Sequence, residues 1–281
     1  MKALIIGGSG GLSGILASMA KETYEVWALT RGKRPLGAGI IPLCADRDDR
    51  EGFKKAILGA GVTWDVVFDC ICMNERHAEQ DLEVLPFVTS RLVVISTDSV
   101  YDPAHKATPQ TEDGFFVEEK GAPEECSYAG NKRKMENVFL RYFSGEGEHR
   151  LNVTLFRPGH IYCPGFLLGC YPEHSRQKEL PDLILAGQPL SLVTGGIHIT
   201  QPVFVRDLAR TMLDSVNRKV PFSRSSASAT RKRWKTACIT KSWEGFSVWK
   251  SPYGNFLSPD TLRPIPNIPA IYATGSTIYR N

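Results

Sequence analysis

The first fourteen residues constrain the fold of this chain more than any other stretch. An apolar run, Ala3–Ile6, predicts a buried first strand, and five glycines follow within the next eight residues. Ile15–Ala20 then predicts a helix. Glycine lets the backbone turn tightly and approach a ligand without a Cβ in the way. This succession of strand, glycine turn and helix favours a site that holds a dinucleotide pyrophosphate on the amides of a helix N-terminus.

Two alignments of this turn fit a GxxGxxG spacing. One uses Gly8, Gly11 and Gly14, and the other uses Gly7 and Gly10 with Ser13 in the third place. We favour the second because it leaves a shorter distance between the strand and the turn. The cofactor contacts predicted from the turn are Gly7, Gly8, Ser9, Gly10, Gly11 and Leu12.

Composition excludes several classes of protein. Contents of 42% hydrophobic and 23% charged residues are typical of a globular protein. No apolar run approaches the roughly 20 residues that span a membrane. The seven cysteines form no zinc-binding pattern, because Cys70 and Cys72 are too close together and no His/Cys pair follows at ligand spacing. We therefore expect a cytoplasmic protein with reduced thiols, no bound metal and no membrane partner.

Strand and helix patterns alternate along the chain as far as residue 156. Strands are predicted at Glu25–Arg31, Gly39–Cys44, Trp64–Cys72, Arg91–Ser96 and Asn152–Phe156. Helices are predicted over 50–59, 75–88 and 128–143, with a long loop over 102–127. This alternation predicts an α/β fold with a parallel, doubly wound sheet, in which ligands bind at the carboxyl ends of the strands.

The end of the second strand indicates which dinucleotide would bind. An NAD-selective site places Asp or Glu there, about 20 residues after the glycines. This chain instead has three cations, Arg31, Lys33 and Arg34. Arg31 can pair with a 2′-phosphate and stack on adenine, so the sequence favours NADP over NAD. The alternative is a solvated basic turn.

Three residues suggest acid–base chemistry. Tyr128 and Lys132 lie at i and i+4 of a predicted helix, where side chains are neighbours. A lysine ammonium beside a tyrosine favours the phenolate and lowers the tyrosine pKa. Thr97, at a strand end, can hold a substrate oxygen. We predict that Thr97, Tyr128 and Lys132 move the proton that accompanies hydride transfer, although Tyr128 and Lys132 could also form an ordinary exposed pair.

Several segments resemble the motifs of one family. They are Gly7–Gly10, Ile95–Tyr101, Tyr128–Lys132, Arg157–Tyr162 and Gln201–Ala209. In this order they resemble the extended short-chain dehydrogenase/reductases, in the NAD-dependent epimerase/dehydratase branch. The resemblance runs from residue 1 to about 219. It implies a Rossmann domain that binds NADP or NAD, the start of a smaller substrate lobe at about 160–202, and a small-molecule substrate, often a nucleotide sugar.

The resemblance also implies roles for individual residues. It assigns catalysis to Thr97, Tyr128 and Lys132, and it allows a homodimer. Beyond the glycine turn, the implied cofactor contacts are Arg31, Asp46, Arg47, Cys70, Ile71, Cys72, Ser96, Tyr128, Lys132, Pro158 and His160. Three departures from the family pattern, Ser13, Asp102 and Cys163, bear on loop geometry more than on the chemistry.

Residues 220–281 do not continue the resemblance. They carry nine Lys/Arg against two Asp/Glu, whereas the rest of the chain carries 25 against 28. The net charge of +4 therefore does not indicate a basic face on the folded part, and we do not expect nucleic acid as a partner. Three interpretations stay open: a divergent substrate lobe, a basic interaction tail and a non-native reading frame. We favour the shifted frame. When residues 239–243 and 273–280 are back-translated and read in another frame, permitted codons give amino-acid sequences similar to the family's C-terminus.

Two functions follow from these observations. The first is an NAD(P)-dependent oxidoreductase, epimerase or dehydratase that acts on a sugar-like substrate. The alternative is a non-catalytic dinucleotide-binding or RNA-associated protein on the same fold, since a fold alone does not decide function.

Overall fold

The structure is a computed structural model that describes residues 1–105, 110, 112, 114–122, 125–144, 151–163, 179–189 and 202–217. All of them belong to one compact unit, Met1–Lys241. Residues 220–281, for which three interpretations were given, lie outside the described residues. So does most of the substrate lobe predicted at about 160–202.

Six parallel strands form the central sheet in the order β3-β2-β1-β4-β5-β6. The strands are β1 (Lys2–Ile6), β2 (Glu25–Thr30), β3 (Ile41–Cys44), β4 (Val66–Asp69), β5 (Arg91–Ile95) and β6 (Asn152–Phe156). This order is that of a doubly wound dinucleotide-binding sheet, whose ligand crevice opens between β1 and β4, where the strand order reverses. The fold class predicted from the alternation is confirmed.

Helices cover both faces of the sheet. They are α1 (Gly11–Ala20), α2 (Arg50–Gly59), α3 (Glu75–Val84), α4 (Tyr128–Ser144), α5 (Leu180–Leu185) and α6 (Val205–Asn217). Helices α2, α3 and α4 bury side chains such as Phe53, Val84 and Phe139 in one core. Helices α1 and α6 bury Leu16 and Met212 in the other. Both faces of every central strand are therefore covered, which explains their nearly continuous apolar sequences.

Two predicted elements are shorter than the sequence patterns indicate. The helix predicted over 75–88 ends at Val84 and passes into a single 3-10 turn, Leu85–Phe87, because Pro86 lacks the amide that a continuing helix needs. The strand predicted over Trp64–Cys72 is confined to Val66–Asp69. The Asp69 carboxylate accepts a hydrogen bond from the amide of Ile71 at 2.7 Å, which turns the chain out of the sheet.

A second, two-stranded sheet lies beyond β6. It pairs β7 (Ile161–Tyr162) with β8 (Val203–Phe204) in parallel. Helix α6 follows β8 directly and packs on α1. None of the described helices is both long and apolar enough to cross a membrane.

Candidate active site

The glycine turn between β1 and α1 leaves no room for side chains at its start. Gly7 has a φ of +88°, and a Cβ there would lie 2.6 Å from Cγ2 of Ile71. A Cβ on Gly8 would lie 2.6 Å from the Cβ of Ala28 on β2. Both glycines therefore allow neighbouring backbone segments to approach closely at the carboxyl edge of the sheet.

Ser13 closes the turn from within the first turn of α1. Its buried hydroxyl accepts a hydrogen bond from the Gly10 amide at 2.9 Å and donates one to the Gly7 carbonyl at 2.5 Å. Gly7, Gly10 and Ser13 thus occupy the three positions of the alignment that the sequence favours. The turn also contains Ser9, and α1 opens with Gly11 and Leu12, whose amides have no partner one turn earlier. A glycine-rich turn before a helix N-terminus fits a dinucleotide pyrophosphate.

Arg31 and Asp46 lie on neighbouring strand ends. Arg31 follows β2 and Asp46 follows β3, and the Ala45 amide donates to the Thr30 carbonyl at 3.0 Å, which holds the two ends together. Both side chains are exposed at the carboxyl edge of the sheet. The structure therefore leaves both accessible to a ligand bound there.

The Arg47 side chain has partners other than the cofactor that the sequence predicts. Its guanidinium is buried, with only 4% of the residue exposed. Nη2 donates to Asp69 at 2.8 Å, to Asp81 at 2.7 Å and to the carbonyl of His77 at 3.0 Å, and the group lies 4.3 Å from the ring centroid of Phe53. This side chain joins the end of β3 to β4 and α3 inside the domain, and the cofactor contact predicted for Arg47 stays a prediction.

The acidic residues around Arg47 form a compact buried group. Ligand atoms of Asp69, Cys72 and Asp81 lie within 4.8 Å of one another, a grouping that could hold a metal ion. At this site the Arg47 guanidinium already supplies the positive charge that a metal ion would bring. Burial raises the pKa of Asp81, the neighbouring Asp69 raises it further, and Arg47 opposes the shift. Burial also raises the pKa of the Cys72 thiol, which favours the neutral form that ligates metals poorly.

Lys132 links the carboxyl ends of two central strands. Its side chain is 1% exposed, and Nζ donates to the carbonyl of Cys72, after β4, at 2.7 Å and to that of Ile95, on β5, at 2.9 Å. Burial lowers the pKa of Lys132, and the nearby Cys72 and Asp69 raise it. One of the three ammonium donors remains for a ligand at the sheet edge.

Tyr128 begins α4 and is 52% exposed. Burial of the phenol raises the pKa of Tyr128, a hydrogen bond with Thr97 lowers it, and Asp98 raises it. The sequence predicts that Lys132 lowers this pKa. The structure gives the opposite net direction, with the two Lys132 hydrogen bonds made to carbonyl oxygens. The Thr97 hydroxyl, 8% exposed, lies just after β5, where it donates to the Ser99 hydroxyl at 3.2 Å and accepts from the Ser99 amide at 3.2 Å.

The Ser96 hydroxyl faces the domain interior. It donates to Glu136 on α4 at 2.6 Å, and Ser96 is 2% exposed. The cofactor contact predicted for Ser96 stays a prediction. Sequence reasoning missed Glu136, although its spacing continues the i, i+4 series of Tyr128 and Lys132 by one more turn.

Three other residues predicted to contact the cofactor, Pro158, His160 and Cys70, form hydrogen bonds within the protein through their backbone groups. The Pro158 carbonyl accepts from the Asp98 amide at 3.0 Å, and the His160 carbonyl accepts from the Val203 amide at 2.8 Å. The Cys70 amide donates to the Ile6 carbonyl at 3.2 Å, and burial raises the pKa of the Cys70 thiol. Lys132 thus contacts Cys72 after β4 and Ile95 at the end of β5, and Tyr128 lies near Thr97, two residues after β5.

The sequence model of the NAD dependent epimerase/dehydratase family matches residues 3–221 of this chain. Among curated proteins, the chloroplast stem-loop binding protein of 41 kDa b from Arabidopsis thaliana is 28% identical over 229 residues, which is 76% of this chain and 54% of that protein. The chain therefore spans about half the length of this relative.

Solved structures of nucleotide-sugar epimerases share the fold. UDP-N-acetylglucosamine 4-epimerase from Methanobrevibacter ruminantium superposes with a TM-score of 0.59 at 14% identity, covering 78% of this chain and 74% of that chain. UDP-glucuronic acid 4-epimerase from Bacillus cereus, solved with UDP-glucuronic acid and NAD, gives a TM-score of 0.58 at 17% identity, with the same coverage of 78% and 74%.

Proposed function

Because the chain belongs to the NAD dependent epimerase/dehydratase family, we propose that it is an NAD(P)-dependent oxidoreductase, epimerase or dehydratase acting on a nucleotide sugar. The observation that carries the proposal is the placement of Tyr128 near Thr97, just after β5, and of Lys132 on the Ile95 carbonyl at the end of the same strand. The family and the epimerase folds support a dinucleotide enzyme, and these side chains supply its proton chemistry.

Each residue has a distinct task in this proposal. The glycine turn and Lys132 would hold the dinucleotide, which would supply the hydride chemistry at the carbon that bears a sugar hydroxyl. Tyr128 takes the hydroxyl proton when the carbon is oxidised and gives it back when the carbonyl is reduced. Thr97 donates a hydrogen bond to the same oxygen, and Lys132 offers its remaining N–H to the cofactor.

The direction of the Tyr128 pKa defines when it can act as a base. Without a ligand the phenol is neutral at pH 7, since burial raises its pKa above the ordinary value of 10. A cationic group brought beside the phenol favours the phenolate. A cationic cofactor held near Tyr128 would favour its role as a base in oxidation, and the neutral phenol can protonate a carbonyl in reduction.

NADP is the cofactor that we propose to bind more tightly. Arg31 is exposed at the end of β2, where a ribose 2′-phosphate would lie, and Lys33 and Arg34 follow it. A guanidinium forms paired hydrogen bonds to a phosphate, and each bond to a charged group contributes about 1.5–3 kcal/mol.

A turnover screen tests the proposed activity. The 281-residue chain is incubated with NAD⁺ or NADP⁺ and with UDP-N-acetylglucosamine or UDP-glucuronic acid, and the sugar products are separated by chromatography. We expect a new sugar product that Tyr128→Phe abolishes. Product formation that survives both Tyr128→Phe and Lys132→Met would contradict the assigned centre.

Stem-loop RNA binding is a second candidate, favoured by the Arabidopsis thaliana relative that is 28% identical and is called a stem-loop binding protein. It predicts binding of a short RNA hairpin with an affinity that falls steeply with salt. Fluorescence anisotropy with the hairpin and with a DNA duplex of equal length distinguishes the candidates. Hairpin binding without sugar turnover supports the second, and turnover without hairpin binding supports the first.

A further inference from the structure

Glu136 is a buried carboxylate with a full set of hydrogen bonds. The residue is 0% exposed. Oε1 accepts from the Ser96 hydroxyl at 2.6 Å and from Arg157 Nε at 2.8 Å. Oε2 accepts from Arg157 Nη2 at 2.8 Å and from Arg133 Nη1 at 3.1 Å. Four donors occupy the roughly four lone-pair positions that a carboxylate offers, so the buried charge is completely satisfied.

The Glu136 contacts fix α4 against the end of β5. Lys132 and Glu136 lie one turn apart on α4, and they bind two consecutive residues, Ile95 and Ser96, at 2.9 and 2.6 Å. Each residue step along a helix moves a side chain by about 1.5 Å and rotates it by about 100°. Both bonds can therefore form together at only one axial and rotational setting of α4.

The same carboxylate connects α4 to the loop that follows β5. Arg157, after β6, continues from Glu136 to the Tyr101 hydroxyl, with a Nη1–O distance of 2.7 Å. The Tyr101 ring stacks on Phe116, with centroids 5.5 Å apart. Ser96 and Tyr101, on either side of Thr97, are thus both linked to the Glu136 carboxylate. Ser96 binds it directly, and Tyr101 is linked through Arg157.

We propose that Glu136 is a positioning residue, which holds α4 in the setting that aims the Lys132 ammonium between β4 and β5. This inference rests on the proposed function, because Lys132 is the group that would meet the cofactor. Four protein donors already occupy the Glu136 carboxylate, so its effect on the cofactor passes through Lys132.

A double-mutant cycle on cofactor binding tests this role without requiring a known substrate. The probe is NADH, and its fluorescence on binding is measured for Glu136→Gln, Lys132→Met and the double variant. We expect Lys132→Met to weaken NADH binding by roughly tenfold or more, as for the loss of a charged hydrogen bond. We expect Glu136→Gln to weaken it by roughly threefold to tenfold, and the double variant to bind as Lys132→Met does.

Two further variants separate positioning from loss of stability. Ser96→Ala removes one bond to Glu136 and leaves its ion pairs, so it serves if Glu136→Gln does not fold, and it should weaken NADH about twofold only when Lys132 is present. Phe143→Leu alters the buried far end of α4 and should lower stability without changing NADH affinity.

Each outcome is decisive. Multiplicative losses in the double variant, or unchanged affinity in both Glu136→Gln and Ser96→Ala, would overturn the positioning role and leave the role of Lys132 intact. Unchanged affinity in Lys132→Met would remove Lys132 from the cofactor site, and the proposed function would fail together with this inference.

Discussion

The Lys132 ammonium lies 2.7 Å from the carbonyl oxygen of Cys72, 60 residues earlier in the chain. With its second bond, 2.9 Å to Ile95, it bridges the ends of adjacent strands from a fully buried position. Lys132→Met should therefore destabilise the protein, because it leaves two buried carbonyls without this donor, at about 1–3 kcal/mol for each unsatisfied group. Chemical denaturation measures the loss. Lys134→Met, on the same helix but bonded to Gly121 at the surface, is the control, and equal stabilities for the two variants would contradict this account.

The Thr97 hydroxyl should influence the pH dependence of oxidation. Burial raises the pKa of Tyr128 and the interaction with Thr97 lowers it, and oxidation needs the phenolate. Activity in the oxidative direction should therefore rise with pH, and Thr97→Val should move the rising limb to higher pH. Thr97→Ser keeps a hydroxyl and should retain the wild-type profile. Identical pH profiles for Thr97→Val and Thr97→Ser would show that Thr97 does not control the pKa of Tyr128.

Arg31→Ala should separate the two dinucleotides. Loss of a charge-assisted phosphate contact typically costs about 1.5–3 kcal/mol, so NADPH binding should weaken by roughly tenfold or more while NADH binding barely changes. Calorimetric titration measures both affinities, and Lys33→Ala tests whether any nearby cation has the same effect. Equal weakening of NADPH and NADH would exclude Arg31 from a 2′-phosphate site.

Gly7→Ala should damage the glycine turn. The left-handed backbone at Gly7 alone costs a side chain roughly 1–2 kcal/mol, and the new Cβ would lie 2.6 Å from Ile71. We expect a lower melting temperature and weaker NADH binding. Gly59→Ala is the matched control, because that glycine lies in α2 with no atom within 4 Å of its Cβ position. Alanine there should leave stability unchanged or improve it by up to about 1 kcal/mol. Similar behaviour of the two variants would refute the turn's proposed constraint.

Asp81→Asn should change how stability depends on pH. Because burial raises the pKa of Asp81 in the folded protein, the folded state binds more protons than the unfolded state above the ordinary pKa near 4. This group therefore makes wild-type stability fall as pH rises from that value. The stability of Asp81→Asn relative to wild type should increase with pH in urea titrations. A constant difference between pH 4 and 8 would show that Asp81 does not titrate in this way.

Arg47→Met should be more damaging than Asp81→Asn. The Arg47 guanidinium is the cation beside two buried carboxyl groups, at 2.8 Å from Asp69 and 2.7 Å from Asp81. Removing one partner of a buried ion pair typically costs about 3–5 kcal/mol, because an uncompensated charge stays behind. Denaturant unfolding compares the variants, and a smaller loss for Arg47→Met would contradict the role assigned to this side chain.

Local sequence determined the architecture. The alternation of apolar strands and amphipathic helices between Lys2 and Phe156 predicts the doubly wound sheet. The glycines after Ile6 predict where its ligand crevice lies. The i, i+4 spacing of Tyr128 and Lys132 places them on one helix face. These features depend on backbone geometry and short-range periodicity, which can be inferred directly from neighbouring residues.

Tertiary structure alone decided the partners of the buried charges. Arg47 meets Asp69 and Asp81 from 22 and 34 residues away, and Glu136 meets Arg157 from 21. Nothing in the local pattern distinguishes these charges from the exposed Arg31 or Asp46. A charge is stable inside a protein only when the fold brings an opposite charge and enough hydrogen bonds to it, so its role depends on contacts between distant segments.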